Sequence, residues 1–150
     1  MTDSKIKKFK IEYQIKGVEI LDFGLKHSQE PVLPSTVYHF NINVQHKINP
    51  EMKLVFVIVS VNVMHEDKKT LLGNINASCI FHIANFDDLK SKKDDKSIVF
   101  PQETIDMFNS IAISTTRGLM FNCFRGTFLH NAILPIVDPK GFKQEKIITK

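Results

Sequence analysis

Apolar and polar residues alternate one by one through most of the chain from Phe9 to Ala84, a period-two pattern that admits strands and excludes an amphipathic helix. The run Leu54 to Met64 is the strictest. Val55, Val57, Val59, Val61 and Val63 share one phase, while the other phase starts apolar (Leu54, Phe56, Ile58) and ends mixed (Ser60, Asn62, Met64). A strand apolar on both faces at one end is covered on both faces there. A second run places Ile75, Ala77, Cys79, Phe81 and Ile83 on one face, opposite Asn74, Asn76, Ser78 and His82.

The first strand carries the same alternation with two slips. Phe9, Ile11, Tyr13 and Ile15 share a phase; after Gly17 the apolar positions become Val18 and Ile20, then Leu21, Phe23 and Leu25. One-residue slips of this kind predict bulges, which bend a strand and let it run long. A loop follows from Lys26 to Ser35, with Pro31 and Pro34, before Tyr38, Phe40, Ile42, Val44 and Ile48 resume the pattern. Asn49-Pro50-Glu51 and His65 to Lys69 supply turn chemistry, so four consecutive strands are expected to form an antiparallel meander.

The period then changes. After a polar stretch from Asn85 to Ser97, Pro101 suits a helix's first turn, and Glu103 and Asp106 complement its positive end. Ile105, Phe108, Ile111, Ala112 and Thr115 recur at helical spacing. Arg117-Gly118 marks the approach of the helix end. An irregular apolar stretch from Leu119 to Pro135 follows, and the tail from Lys143 is expected to form a short helix or to fray. With 150 residues and no repeat or boundary, the chain is one domain, 1–150, of α+β class.

Composition narrows the function classes. No stretch approaches the ~18 consecutive apolar residues of a membrane span, and no apolar segment follows the basic start, so a reducing cytoplasm is expected for Cys79 and Cys123. Twenty basic against sixteen acidic residues give a net charge of +4. These charges are dispersed, and Lys90, Lys92, Lys93 and Lys96 stand among Asp87, Asp88, Asp94 and Asp95, which describes a solvated surface rather than a nucleic-acid face.

Motifs for catalysis are missing. The six glycines stand singly, so no phosphate loop exists, and the six histidines lack metal-site spacing. A zinc site from Cys79, Cys123 and a histidine, a thiol dyad of Cys123 with His130, and a cation site at the paired aspartates can each be drawn; structural thiols and solvated acids explain these residues better. No enzyme and no cofactor are expected. What the chain has in excess is phenylalanine: twelve Phe, with no Trp. Phe100, Phe108, Phe121, Phe124, Phe128 and Phe142 crowd the last third, with Met107 and Met120 nearby. One helix on one sheet has limited room, so this surplus is expected to line a subunit interface or an adaptable apolar binding surface. A small-ligand carrier and a purely structural oligomer are the rival readings.

Four short motifs then carry a resemblance. Ile80-Phe81-His82-Ile83-Ala84, Val99-Phe100-Pro101, Arg125-Gly126-Thr127-Phe128 and Leu134-Pro135-Ile136-Val137-Asp138 occur in the order of comparable signals in SecB-type protein-export chaperones. Over about Lys7 to Phe142 the chain resembles that family. The resemblance implies a four-stranded antiparallel sheet with one long helix and a short C-terminal helix. It also implies a homotetramer, as a dimer of dimers, that holds unfolded preproteins in apolar grooves without ATP and delivers them to SecA. Leu71, Phe81, Phe100, Phe121, Phe124 and Phe128 become candidates for client binding, and Ile105, Phe108, Ile111 and Ala112 for the intersubunit core.

The chain departs from that family in charge. Asn74 stands where the family's docking glutamate aligns, and Lys143 to Lys146 replaces an acidic tail. Arg117-Gly118 and Arg125-Gly126 each resemble a single Arg-Gly of the family, which marks an apparent insertion. Guarding an antitoxin in a toxin–antitoxin–chaperone system, a role of some SecB-like proteins, needs no SecA contact.

Overall fold

The computed structural model describes residues 10–29, 31–89 and 98–141. Four strands form one antiparallel sheet: β1 (Tyr13–Leu25), β2 (His39–Asn49), β3 (Leu54–Met64) and β4 (Leu71–Ile83). The 23-residue helix α1 (Gln102–Phe124) covers it, with single 3-10 turns at Phe86–Leu89 and Pro139–Gly141. The architecture is α+β, as the periodicities require. The expected tail from Lys143 lies outside the described residues, as do Phe9, Asp94, Asp95 and Phe142.

The strand order is β1-β4-β3-β2, which corrects the expected meander. Only β2, β3 and β4 follow one another through short turns; β1 lies on the far edge beside β4, giving a Greek key. Turns of a few residues hold consecutive strands together, whereas the connection 26–38 is long enough to cross three strand spacings of ~4.8 Å. Lys26 N donates to Leu72 O (2.8 Å), so the chain leaves β1 still tied to β4.

The phase slips in β1 are bulges. Its register against β4 shifts between Ile15 and Gly17 and again between Ile20 and Asp22. Each shift returns apolar side chains to the helix side, where Tyr13, Ile15, Val18, Ile20, Phe23 and Leu25 pair with Ile83, Phe81, Cys79, Ala77, Ile75 and Gly73. A third irregularity between Val63 and Met64 lets Leu72 into the core. The five valines of β3 and Ile75, Phe81 and Ile83 of β4 are fully buried beneath α1.

The helix begins where expected: Thr104 N and Ile105 N donate to the Pro101 carbonyl (3.0 and 3.2 Å). It does not end near Arg117-Gly118 but runs on to Phe124. Met120 and Phe124 are buried and extend the apolar stripe by two turns. Gly118 faces open space, where a missing side chain costs the helix only its usual conformational penalty. Arg117 has a different task, donating from Nε to Leu134 O (2.7 Å) and from Nη2 to Pro135 O (2.9 Å). These bonds tie the segment after the helix back along it. The stop itself is Arg125-Gly126-Thr127. Gly126 takes φ +76°, and the Thr127 hydroxyl donates to Phe124 O (2.7 Å) and accepts from Leu129 N (3.1 Å).

Two buried groups had no periodic signature. Phe86 is completely buried although it belongs to a polar stretch. Asn109, on the sheet-facing side of α1, is also fully buried, and its Oδ1 bonds His46 Nε2 of β2 at 2.7 Å.

Candidate functional site: an apolar row and a cavity at one sheet edge

Helix α1 lies over β3 and β4. On the β2 side, Phe40, Ile42, His46 and Ile48 are half-buried and Val44 is buried, so that flank of the inner face is covered. The β1 flank is not. Ile15, Val18, Ile20, Phe23 and Leu25 point to the helix side of the sheet yet stay 38–52% exposed. Exposed Met107 and half-buried Ile111 of α1 stand alongside, and the Tyr13 hydroxyl donates to the Met107 sulfur at the start of the row. At ~3.3 Å per residue the row spans roughly 30 Å, the reach of about nine extended residues.

The row ends at a cavity. His27, Ser28, Pro31, Val32 and Phe128 line an open pocket of about 320 Å³, room for one large side chain. The His27 ring lies 5.7 Å from that of Phe128 at a tilt of 32°, and the Tyr38 hydroxyl donates to Phe128 O (3.4 Å). The Arg125-Gly126-Thr127 stop therefore delivers Phe128 to the loop that follows β1. The lining is mixed: Pro31, Val32 and Phe128 supply apolar surface, and His27 and Ser28 supply polar edges, which suits apolar and aromatic groups that carry a polar neighbour.

The client-binding candidates fall in different places. Phe128 is half-buried in this cavity, Phe121 is 45% exposed on the outer side of α1, and Leu71 is half-buried opposite Met64. Phe81, Phe100 and Phe124 are buried in the subunit core. Phe81 stacks on Phe108 at 4.5 Å, and Phe100 meets Phe108 edge-on at 6.2 Å. Of the interface candidates, Ile105, Phe108 and Ala112 are likewise fully buried within the single subunit, and Ile111 alone remains partly accessible. Sequence reasoning missed the β1 row as a surface, although its alternation and slips were visible, because alternation tells which face a residue points to and not what lies above it.

Among the described residues no group of three or more His, Cys, Asp or Glu is placed to hold a metal ion. Burial pushes the pKa of both thiols up, outweighing in the case of Cys79 a side-chain hydrogen bond with Thr115. The His130 ring lies 5.9 Å from that of Phe121 at a tilt of 46°. No helix among the described residues is long and apolar enough to cross a membrane.

No protein-family model matches the chain, and no curated protein matches its sequence. A solved structure does match in fold: the SecB-like chaperone Rv1957 of Mycobacterium tuberculosis, in complex with a ChAD peptide from the HigA1 antitoxin Rv1956. The TM-score is 0.52 over 83% of this chain and 84% of that one, at 10% sequence identity. The likeness is one of fold: a four-stranded antiparallel sheet with one long helix, arranged as in a SecB-like chaperone.

Proposed function

We propose that this SecB-like fold serves as an ATP-independent holdase, without catalysis or cofactor, which binds non-native polypeptide through apolar side chains. The carrying observation is the uncovered row Ile15–Val18–Ile20–Phe23–Leu25 leading into the Phe128 cavity. A subunit that exposes so much contiguous apolar surface has a partner for it. In this reading the β1 row and the outer side of α1 join subunits into a dimer or a tetramer, and the Phe128 cavity takes apolar side chains of the client.

The antitoxin form of this reading is favoured over the export form. The matching structure holds an antitoxin peptide. On the outer face, the position aligned with a SecA-docking glutamate is Asn74, whose amide, with that of Asn76, donates to Asp22. Glu19, opposite Ser78, is the other carboxylate of this part of the face, and two carboxylates, one of them satisfied by amides, make a weak electrostatic platform for a docking partner.

Light scattering combined with an aggregation assay tests the proposal. The expected result is a mass near two or four times 17.2 kDa and suppression of a denatured client's aggregation at stoichiometric amounts. Phe128→Ala is expected to weaken client holding about tenfold with the mass unchanged, in keeping with loss of one buried aromatic side chain. A monomer that leaves aggregation unaltered would sink the proposal and move a small apolar ligand into the cavity as first choice.

A further inference from the structure

Of the described methionines, Met120 is fully buried and Met64 half-buried, while Met52 and Met107 are 62% and 48% exposed. The two exposed sulfurs differ in their surroundings. Met52 sits in the turn between β2 and β3, and among the described residues no donor reaches its sulfur. The Met107 sulfur accepts from the Tyr13 hydroxyl. That hydroxyl is held in place. The Tyr13 ring meets Phe108 edge-on at 5.0 Å and Phe81 edge-on at 6.1 Å, and its backbone pairs with Ile83 of β4. A phenol fixed by the core thus aims its proton at an exposed thioether. Thioether sulfur is a weak acceptor, whereas a sulfoxide oxygen is a strong one. The same donor therefore favours the oxidised side chain over the reduced one.

We infer that Met107 is an oxidation site for hydroperoxides, steered by the Tyr13 hydroxyl, and that its sulfoxide blocks the joining of subunits along the β1 row. The blocking step rests on the reading of that row as a subunit contact. In the reaction an S–O bond forms as the O–O bond breaks. The proton of the transferred oxygen passes to the departing oxygen, which leaves as water or an alcohol. Sulfur gives up two electrons and the peroxide gains them. The Tyr13 hydroxyl, shifting from sulfur to the transferred oxygen, stabilises the negative charge that develops there. Met107 stands at the head of the row, beside Ile15 and Val18. Oxidation turns an apolar, flexible side chain into a polar one, whose oxygen must be stripped of water before a second subunit can close over it. Because joining covers the row, peroxide reaches Met107 in the separated subunit and keeps it separated. A dithiol-driven sulfoxide reductase reverses the step, taking the oxygen off as water while the dithiol closes to a disulfide.

Peptide mapping by mass spectrometry during exposure to hydrogen peroxide tests the site, in protein diluted until light scattering gives the 17.2 kDa subunit. Met107 is expected to gain one oxygen roughly fivefold faster than Met52 despite its lower exposure, the factor that one net hydrogen bond supplies. Tyr13→Phe keeps both ring contacts and removes the hydroxyl. It is expected to abolish the lead of Met107 while the circular dichroism spectrum stays unaltered. A Met107 that lags Met52 at every dilution, or a lead that survives Tyr13→Phe, would overturn the inference. Light scattering then reads the consequence. After oxidation the protein is expected to need about tenfold higher concentration to assemble, as for one polar group left imperfectly satisfied in a contact. In Met107→Leu the same treatment is expected to leave the assembly concentration where it stood before peroxide, and the reductase is expected to restore that of the native protein. Full assembly with Met107 oxidised would overturn the blocking step and leave the subunit contact standing. A protein that is a single subunit before any peroxide would remove the contact and the blocking step together, and the oxidation rates alone then decide the site.

Discussion

A Cβ built on Gly73 would lie 2.6 Å from Leu129 Cδ1, 2.9 Å from the Gly24 carbonyl oxygen and 3.5 Å from Phe124 Cζ. The missing side chain is what lets the end of α1 and the segment after it close on the sheet. Gly73→Ala is expected to cost roughly 1–3 kcal/mol, because a backbone oxygen cannot yield as a flexible side chain does. Chemical denaturation checks it, through a lower midpoint at unchanged slope. Nothing near position 73 in the sequence announces this, since all three contacts come from other elements. Phe86 and Asn109 are further cases: Phe86 lies beside Asn85, Asp87 and Asp88, and Asn109 is a polar residue within an apolar helix stretch, so neither position announces its burial by its own type and neighbours. Asp67 is the opposite case, legible as turn chemistry. Its carboxylate accepts from Thr70 Oγ1 and from the backbone N–H of Thr70 and Lys69, which lowers its pKa to about 2.

Elements were legible wherever periodicity alone defines them. The slips after Gly17 and at Leu21 correspond to the two bulges of β1, and the valine phase of β3 is the buried face without exception. Neighbourhood was not legible, because a period of two fixes which face a side chain takes and is silent about which strand lies alongside. Hence a meander was expected where β1 crosses to β4. The end of α1 was misjudged for a related reason. Arg117-Gly118 carries stop chemistry in isolation, yet here the arginine is occupied with two carbonyls and the glycine is solvent-facing. Gly118→Ala is accordingly expected to stabilise the protein by about 0.5–1 kcal/mol, since the position is helical and sterically free. A rise in thermal midpoint with unaltered helix content would confirm it.

For the molecule as a whole, the phenylalanine surplus divides between two duties. Among the described residues Phe81, Phe86, Phe100, Phe108 and Phe124 fill the core, and Phe23, Phe40, Phe56, Phe121 and Phe128 remain accessible in part. Phe124→Asp would place a carboxylate in the core and unfold the subunit, so it cannot separate interface from groove. Phe23→Asp is the better probe. With its side chain 52% exposed at mid-row, this variant is expected to retain the subunit's spectrum while shifting its mass by light scattering toward the monomer. A full-sized assembly carrying aspartate there would move the subunit contact away from β1.

The pairing of β1 with β4 also has a consequence in time. Leu25 meets Gly73 and Tyr13 meets Ile83, partners separated by most of the sheet's length in the chain. During synthesis at ~5–20 residues per second, the first strand waits several seconds after it emerges before its partner exists, while β2, β3 and β4 zip together through short turns. The strand made first is thus the last to be seated. Throughout that interval the nascent chain carries an unpaired, apolar strand of its own.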